Sequence, residues 1–249
     1  MPSPTSSSNP ATTRYHLVVA DSAEELATRT AQAIGTALDL VLAERDRAQI
    51  ALAGGETPKA AYRLLGQQHL PWDRVDVLLG DERWVPADDP SSNARMLHET
   101  LLAEGPGRRA CLHAVPTHLA TPEQAAEAYG EMLQQLCRTT PPVLDLVLLG
   151  LGDDGHTASL FPGTPATSVI DRAVTLGEGK GLPRVTFTAP TLSAARQVLF
   201  LVSGAGKVQA LQRLLDPQES PERTPAKLVR PNTEVWILAD RAAAGGVAP

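Results

Sequence analysis

Six short runs rich in Val, Ile and Leu recur along the chain, each the length of a strand: Tyr15–Ala20, Gln49–Ala53, Arg74–Leu79, Leu144–Leu149, Gln197–Ser203 and Glu234–Leu238. Several are apolar at nearly every position, which suits strands buried on both faces of a parallel sheet. Weaker runs lie near Cys111–Val115, Val169–Leu176 and Arg184–Thr188. Between the runs stand helix starts. Asp21-Ser22-Ala23-Glu24 offers a carboxylate cap with a Glu three residues on, a variant of the capping box. Thr121-Pro122-Glu123-Gln124 puts Pro at the first helical position, where its missing N–H costs nothing. Further helices are expected over Pro58–Leu65, Ser92–Ala103 and Gly206–Leu215. Strand and helix in alternation predict an α/β fold, an open, doubly wound, mostly parallel and Rossmann-like sheet with helices on both faces. One domain over residues 15–239 is expected. The Pro/Ser/Thr-rich stretch Met1 to Arg14 reads as a disordered lead-in, and residues 240–249 as a frayed tail.

Four strands end in glycine-bearing polar turns: Gly54-Gly55-Glu56-Thr57-Pro58, Gly80-Asp81-Glu82-Arg83, Gly150-Leu151-Gly152-Asp153-Asp154-Gly155-His156, and Ser203-Gly204-Ala205-Gly206-Lys207. In an open parallel sheet the carboxyl ends of the strands share one edge, and ligands bind in the crevice there. A parallel sheet would therefore bring all four turns to one cleft.

Composition narrows what that cleft can serve. Among 249 residues, 22 Lys+Arg face 28 Asp+Glu, a formal charge of −6, and no dense basic block exists. That balance argues against nucleic acid or a membrane surface as partner. No apolar run approaches the ~18 residues of a membrane helix. Two cysteines, Cys111 and Cys137, with no CxxC between them, fit a reducing compartment. The first residues lack the apolar stretch of a signal peptide. A cytoplasmic protein acting on a small molecule is the expectation, its oligomeric state open with a monomer favoured.

Gly150-x-Gly152-x-x-Gly155 after a strand matches the dinucleotide fingerprint, but that fingerprint needs a helix directly behind it. Phe161-Pro162-Gly163 stops any such helix, and Asp153 and Asp154 put negative charge where a pyrophosphate would sit. No nicotinamide or flavin cofactor is expected. Gly204 to Lys207 is not a Walker loop, because Leu201 stands at the required earlier glycine and Val208 at the Ser/Thr position. The Gly54–Pro58 turn leads from a strand into a helix, where free N–H groups favour an anion such as phosphate, although an ordinary tight turn reads the same way. Lys207 at a second helix start could add a point charge to that anion, or be a solvated surface lysine. His156, beside Asp153 and Asp154, is the most suggestive ionisable group, since a nearby carboxylate could orient its ring. Asp81-Glu82-Arg83 adds two acids and a guanidinium, or forms a bland surface ion cluster. Cys111, His113, His118 and Cys137 fit no common zinc spacing, so no metal is expected. No Gly-x-Ser-x-Gly elbow supports a serine hydrolase.

Taken together, these segments resemble the 6-phosphogluconolactonases, in the superfamily shared with glucosamine-6-phosphate deaminase/isomerase. The matching stretches are Ala51 to Pro58, Gly80 to Pro86 with Ser92 to Met96, Leu149 to Gly163, Arg184-Val185-Thr186 and Gly204 to Lys207, in the family's order from about Tyr15 to Leu238. Two departures are visible. Glu56 stands where the family commonly has a small hydroxyl residue, so its carboxylate is expected to turn away from the ligand. Asp153 stands where a proline is usual.

The resemblance implies hydrolysis of 6-phospho-D-glucono-1,5-lactone to 6-phosphogluconate, the second step of the oxidative pentose phosphate pathway. The candidate catalytic set is His156 as the base that activates water, Asp154 orienting it, Arg83 stabilising charge at the lactone carbonyl, and Asp81 positioning polar groups. The candidate phosphate-binding set is Gly54, Gly55, Thr57, Arg184 and Lys207. Amino-sugar-phosphate deamination is the nearest alternative. In the deaminase relatives a Glu lies five residues after the motif histidine, where this chain has Phe161. A non-catalytic sugar-phosphate-binding protein is the second alternative, which would have no need of His156.

Overall fold

The computed structural model describes residues 14–246. Ten strands form in chain order: β1 Tyr15–Ala20, β2 Ala48–Leu52, β3 Val75–Leu79, β4 Asp81–Arg83, β5 Cys111–His113, β6 Leu146–Gly150, β7 Val174–Gly179, β8 Leu182–Phe187, β9 Val198–Val202 and β10 Val235–Asp240. The helices are α1 Ala23–Glu44, α2 Thr57–Gly66, α3 Asn93–His98, α4 Pro122–Cys137, α5 Ala189–Ser193, α6 Val208–Leu215 and α7 Arg241–Ala244. Seven strands form a sheet in the order β1-β10-β9-β6-β2-β3-β5, with every neighbouring pair parallel. A second sheet, β4-β8-β7, is antiparallel.

The period of two along each strand divides the core between the two faces of the large sheet. Leu146 and Leu148 of β6 pack with Ile34 and Leu38 of α1, Tyr62 of α2 and Leu97 of α3. Val147 and Leu149 point the other way, into a cluster with Tyr129 of α4, Leu211 of α6 and Ala243 of α7. The near-continuous apolar runs are therefore explained by cover on both faces, and the doubly wound reading holds.

From β1 at one edge the chain crosses to β2 and winds outward through β3 to β5 at the other edge. It then returns to the other side of β2 and runs through β6, β9 and β10 toward β1. The order reverses between β2 and β6, which is where such sheets open a crevice at the carboxyl ends of their strands.

Some expectations need correction. The cap of α1 is Ser22, whose hydroxyl accepts from the Glu25 N–H at 3.1 Å, while the Glu25 carboxylate accepts from the Asp21 N–H. The capping pair sits one residue later than the sequence pattern placed it. The third helix ends at His98, not Ala103. Residues 241–244, expected to fray, form α7, because Asp240 caps it through the Ala243 N–H and Ala243 is buried. The lead-in from Met1 lies outside the described residues, apart from Arg14.

One buried charge ties the far edge of the sheet together. Asp76 on β3 is 1% exposed and accepts hydrogen bonds from Arg47, Gln49 and His113. Burial opposes its charge, yet these bonds and the Arg47 guanidinium hold its carboxyl well below the usual range. Asp76→Ala is expected to cost about 2–3 kcal/mol at neutral pH, read from urea unfolding. The folded-state pKa is the lower one, so the contribution is fully present above the unfolded value near ~4 and fades as pH falls below it. The gap between variant and wild type should narrow steadily in that acidic range.

Candidate active site

The crevice at the switch point is lined by the turns after β2, β6 and β9, by Gly80 and β4 after β3, and by β8 of the small sheet. It brings together Gly54, Gly55, Thr57, Asp81, Arg83, His156, Arg184 and Lys207. Asp154 stands behind His156 and off the wall.

The turn after β2 is shaped for close approach. Gly55 has φ +104°, a conformation that favours glycine, and a Cβ on Gly54 would lie 1.9 Å from Asn93 Oδ1. Tyr62 anchors the turn by donating its hydroxyl to the Ala53 carbonyl at 2.8 Å. No side chain caps the N-terminus of α2; Pro58 has no N–H and Lys59 donates its own to the Glu56 carbonyl at 3.2 Å, so the Thr57 N–H and those of the turn before it are the ones that can meet an anion. Glu56 turns its carboxylate to Lys59 at 2.6 Å on the same helix and is well exposed.

Asp81, Glu82 and Arg83, for which a bland ion cluster was the alternative to a role in the site, form β4 and separate by strand alternation. Asp81 and Arg83 line the cleft. Glu82 points away and accepts from Asn93 N, Ala94 N and Ser92 Oγ, satisfying the start of α3. Burial raises the Glu82 pKa above its ordinary value. Asp81 accepts from Ser159 Oγ at 2.5 Å and lies 3.5 Å from Arg184 Nη1. Arg184 is itself buried, and its guanidinium lies 5.4 Å from the centre of the Phe161 ring. Arg83 donates to the Ser91 carbonyl, and its Nε has no protein partner among the described residues.

The loop after β6 carries the acid–base pair. His156 Nδ1 lies 2.5 Å from Asp154 Oδ1, and the same oxygen accepts the His156 backbone N–H at 3.0 Å. Burial opposes the charge of Asp154, but these bonds hold its carboxyl below the ordinary range. An ionised carboxylate only accepts, so Nδ1 carries the proton and Nε2 keeps its lone pair. Burial is the largest influence on His156 and lowers its pKa, Lys180 acts in the same direction, and Asp154 and Asp81 oppose them without prevailing. The imidazole is therefore neutral near pH 7, the form a general base requires. Phe161 covers the ring, with centroids 4.2 Å apart. Gly152 makes room for the pair: a Cβ there would meet His156 Nδ1 at 2.0 Å and Asp154 Oδ1 at 2.6 Å.

Residues 21–238 match the protein family described as glucosamine-6-phosphate isomerases/6-phosphogluconolactonase. The chain belongs to this family. The 6-phosphogluconolactonase of Synechocystis is 45% identical over 213 residues, covering 84% of this chain and 89% of that protein. The Nostoc 6-phosphogluconolactonase is 42% identical over 221 residues, covering 88% and 92%. The structure of the Trypanosoma brucei 6-phosphogluconolactonase superposes with a TM-score of 0.84 at 31% identity, over 95% of this chain and all of that one.

Sequence reasoning missed three contributors. Lys180, at the tip of the β7–β8 hairpin, lines the cleft, but its Gly-rich surroundings read as loop. Asp240 accepts from Ser203 Oγ and the Gly204 N–H, fixing the turn that carries Lys207. Ser159 joins the histidine loop to both Asp81 and Thr186. Lys207 itself lies 4.0 Å from Asp153 Oδ1, an exposed carboxylate at the cleft's rim. Asp76, Cys111 and His113 bring potential ligand atoms within 4.8 Å, without His118 or Cys137. Both Asp76 oxygens there already accept from Arg47, which neutralises the group.

Gly152→Ala is expected to leave the fold intact by circular dichroism, since only side-chain ends crowd the new methyl. It should separate His156 from Asp154, seen in imidazole 15N shifts as loss of the hydrogen-bonded Nδ1–H.

Proposed function

We propose that this protein hydrolyses 6-phospho-D-glucono-1,5-lactone to 6-phosphogluconate, in the cytoplasm. The observation that carries the reading is a neutral, carboxylate-oriented His156 in a cleft that also holds an uncapped helix N-terminus and several cations. The family relatives at 45% and 42% identity, which carry the lactonase name over most of their length, support it. No helix among the described residues is long and apolar enough to cross a membrane.

A δ-lactone is a reactive ester, so a base and a charged cleft suffice for its chemistry. In this mechanism His156 Nε2 takes a proton from water as the water oxygen bonds to the lactone carbonyl carbon. The carbonyl π electrons move to its oxygen. The tetrahedral intermediate then collapses, the ring C–O bond breaks, and the imidazolium returns its proton to the departing ring oxygen. The carboxylic acid so formed ionises. Asp154 is a positioning residue that holds the Nδ1–H tautomer through this cycle. A general base is worth about 10²–10⁴-fold. The phosphate is held by the N–H groups after Gly54, the Thr57 hydroxyl and Lys207, which fixes the distant carbonyl against His156. Arg184 supports the cleft wall through Asp81 and Phe161, with its charge already engaged. Deamination of an amino-sugar phosphate needs a further acid–base group beside the histidine, and the apolar ring of Phe161 occupies that place.

Steady-state hydrolysis of the phosphorylated lactone, with the spontaneous rate subtracted, tests the reading. His156→Ala should lower kcat by about 10²-fold or more with KM little changed, because its interaction exists only in the transition state. A folded His156→Ala protein with near-normal kcat would falsify the role of base. Lys207→Ala should chiefly raise KM, because the phosphate charge does not change during the reaction.

A further inference from the structure

Four cations line the cleft among the described residues, and three are engaged. Arg184 is paired with Asp81 and donates to the Gly179 carbonyl. Arg83 is drawn to the Ser91 carbonyl and shares an adjoining pocket with Gly55 and Glu56, at the phosphate end. Lys207 faces Asp153. Lys180 is exposed and makes no hydrogen bond or ion pair with the described residues.

The position of Lys180 is set by strain and contact. The β7–β8 ladder pairs Gly179 with Leu182, leaving a two-residue loop of Lys180 at φ +56° and Gly181 at φ +77°. Two successive positive φ values are the signature of a type I′ hairpin turn, whose first position normally takes Asn, Asp or Gly. A lysine there is a backbone outlier for a residue with a Cβ, and such outliers point toward function. The hairpin backbone lies against Phe161, since a Cβ on Gly179 would come within 2.3 Å of that ring. The same ring lies against His156 at a tilt of 30°. The free ammonium is thus carried to the imidazole's end of the cleft.

We propose that Lys180 is a catalytic residue whose ammonium stabilises the oxyanion formed when water adds to the lactone carbonyl beside His156. This rests on the lactonase reading above and transfers to Lys180 the role that the sequence pattern gave to Arg83. A cation there also acts on the base. The charged groups around His156 are Asp154 and Asp81, which favour its protonation, and Lys180, which opposes it. Arg184 faces it across Phe161, and Lys207 lines the same cleft beside Asp153.

The test compares Lys180→Ala and Lys180→Arg with wild type, measuring kcat, the pH profile of kcat/KM and competitive inhibition by inorganic phosphate. The alanine variant should lose about 10²-fold in kcat, and the arginine variant should recover most of it. The acid limb should move to higher pH in the alanine variant, because loss of the cation raises the pKa of a base that must be neutral. Phosphate inhibition should be unchanged. An unaltered kcat with an unmoved acid limb would overturn the proposal. So would weakened phosphate inhibition at normal kcat, which would assign Lys180 to the phosphate. A wild-type protein that turns over no phosphorylated lactone would instead overturn the reading of function, a result distinct from an active enzyme indifferent to Lys180.

Discussion

The reversal of winding between β2 and β6 governs what this molecule can bring together. Because every strand of the large sheet is parallel, the exits of β2, β3, β6 and β9 lie on one edge. Because the chain leaves β2 in one direction and β6 in the other, the connecting helices part there and leave an opening. Residues separated by about half the chain, the Gly54 turn and the His156 loop, become the two sides of one crevice. Neither side chain chemistry nor net charge would assemble a site without that topological gap.

Within the crevice, charge is arranged by pairing the acids. Asp154 is committed to His156, and Asp81 to Ser159 and Arg184. Glu82 is directed into the start of α3, and Glu56 to Lys59 on the surface of α2. The chain as a whole is acidic, yet the carboxylates near its cleft are occupied, leaving backbone N–H groups and the Lys180 ammonium free to meet an anion. Burial, acting against that pairing, keeps His156 neutral. Burial beneath Phe161 disfavours the imidazolium more than Asp154 favours it, so the carboxylate orients the base without protonating it.

Much of this was legible from residue patterns because the determinants are local. Nearly continuous apolar runs identified six of the seven strands of the large sheet, and glycine-bearing turns marked the edge that carries the cleft. Features that depend on partners distant in sequence were not legible. The strand β4 has only three residues, none carrying a strand signal, and exists because Asp81 to Arg83 pair with Arg184 to Thr186 across the chain. Alternation along that strand sends Glu82 away from its neighbours, which no reading of Asp81-Glu82-Arg83 as a turn could anticipate. Lys180 was hidden by Gly177, Gly179 and Gly181, which look like a flexible loop. Gly177 and Gly179 serve close packing instead, against Ser159 and Phe161, and Gly181 supplies the positive φ of the turn. Ser22 displaced Asp21 as a cap because either residue suits the position, and only the path of the chain decides between them.

The two sheets divide the work at the cleft. The large parallel sheet supplies the uncapped start of α2 and the turn bearing Lys207, both seated on strands buried through their whole length. In the proposed mechanism these parts hold the phosphate, whose charge is constant during the reaction. The small antiparallel sheet supplies Asp81, Arg184 and the Lys180 hairpin on the side of His156, and Arg83 on the side of the Gly55 turn. The histidine loop is clamped between them: Thr157 donates to the Gly150 carbonyl of the large sheet, while Ser159 bonds Asp81 and Thr186 of the small one. The distance from phosphate anchor to base is therefore set by how the small sheet sits on the large one. A change in the small sheet can alter the chemistry at His156 while leaving the anchor in place. A change at the switch point would disturb both.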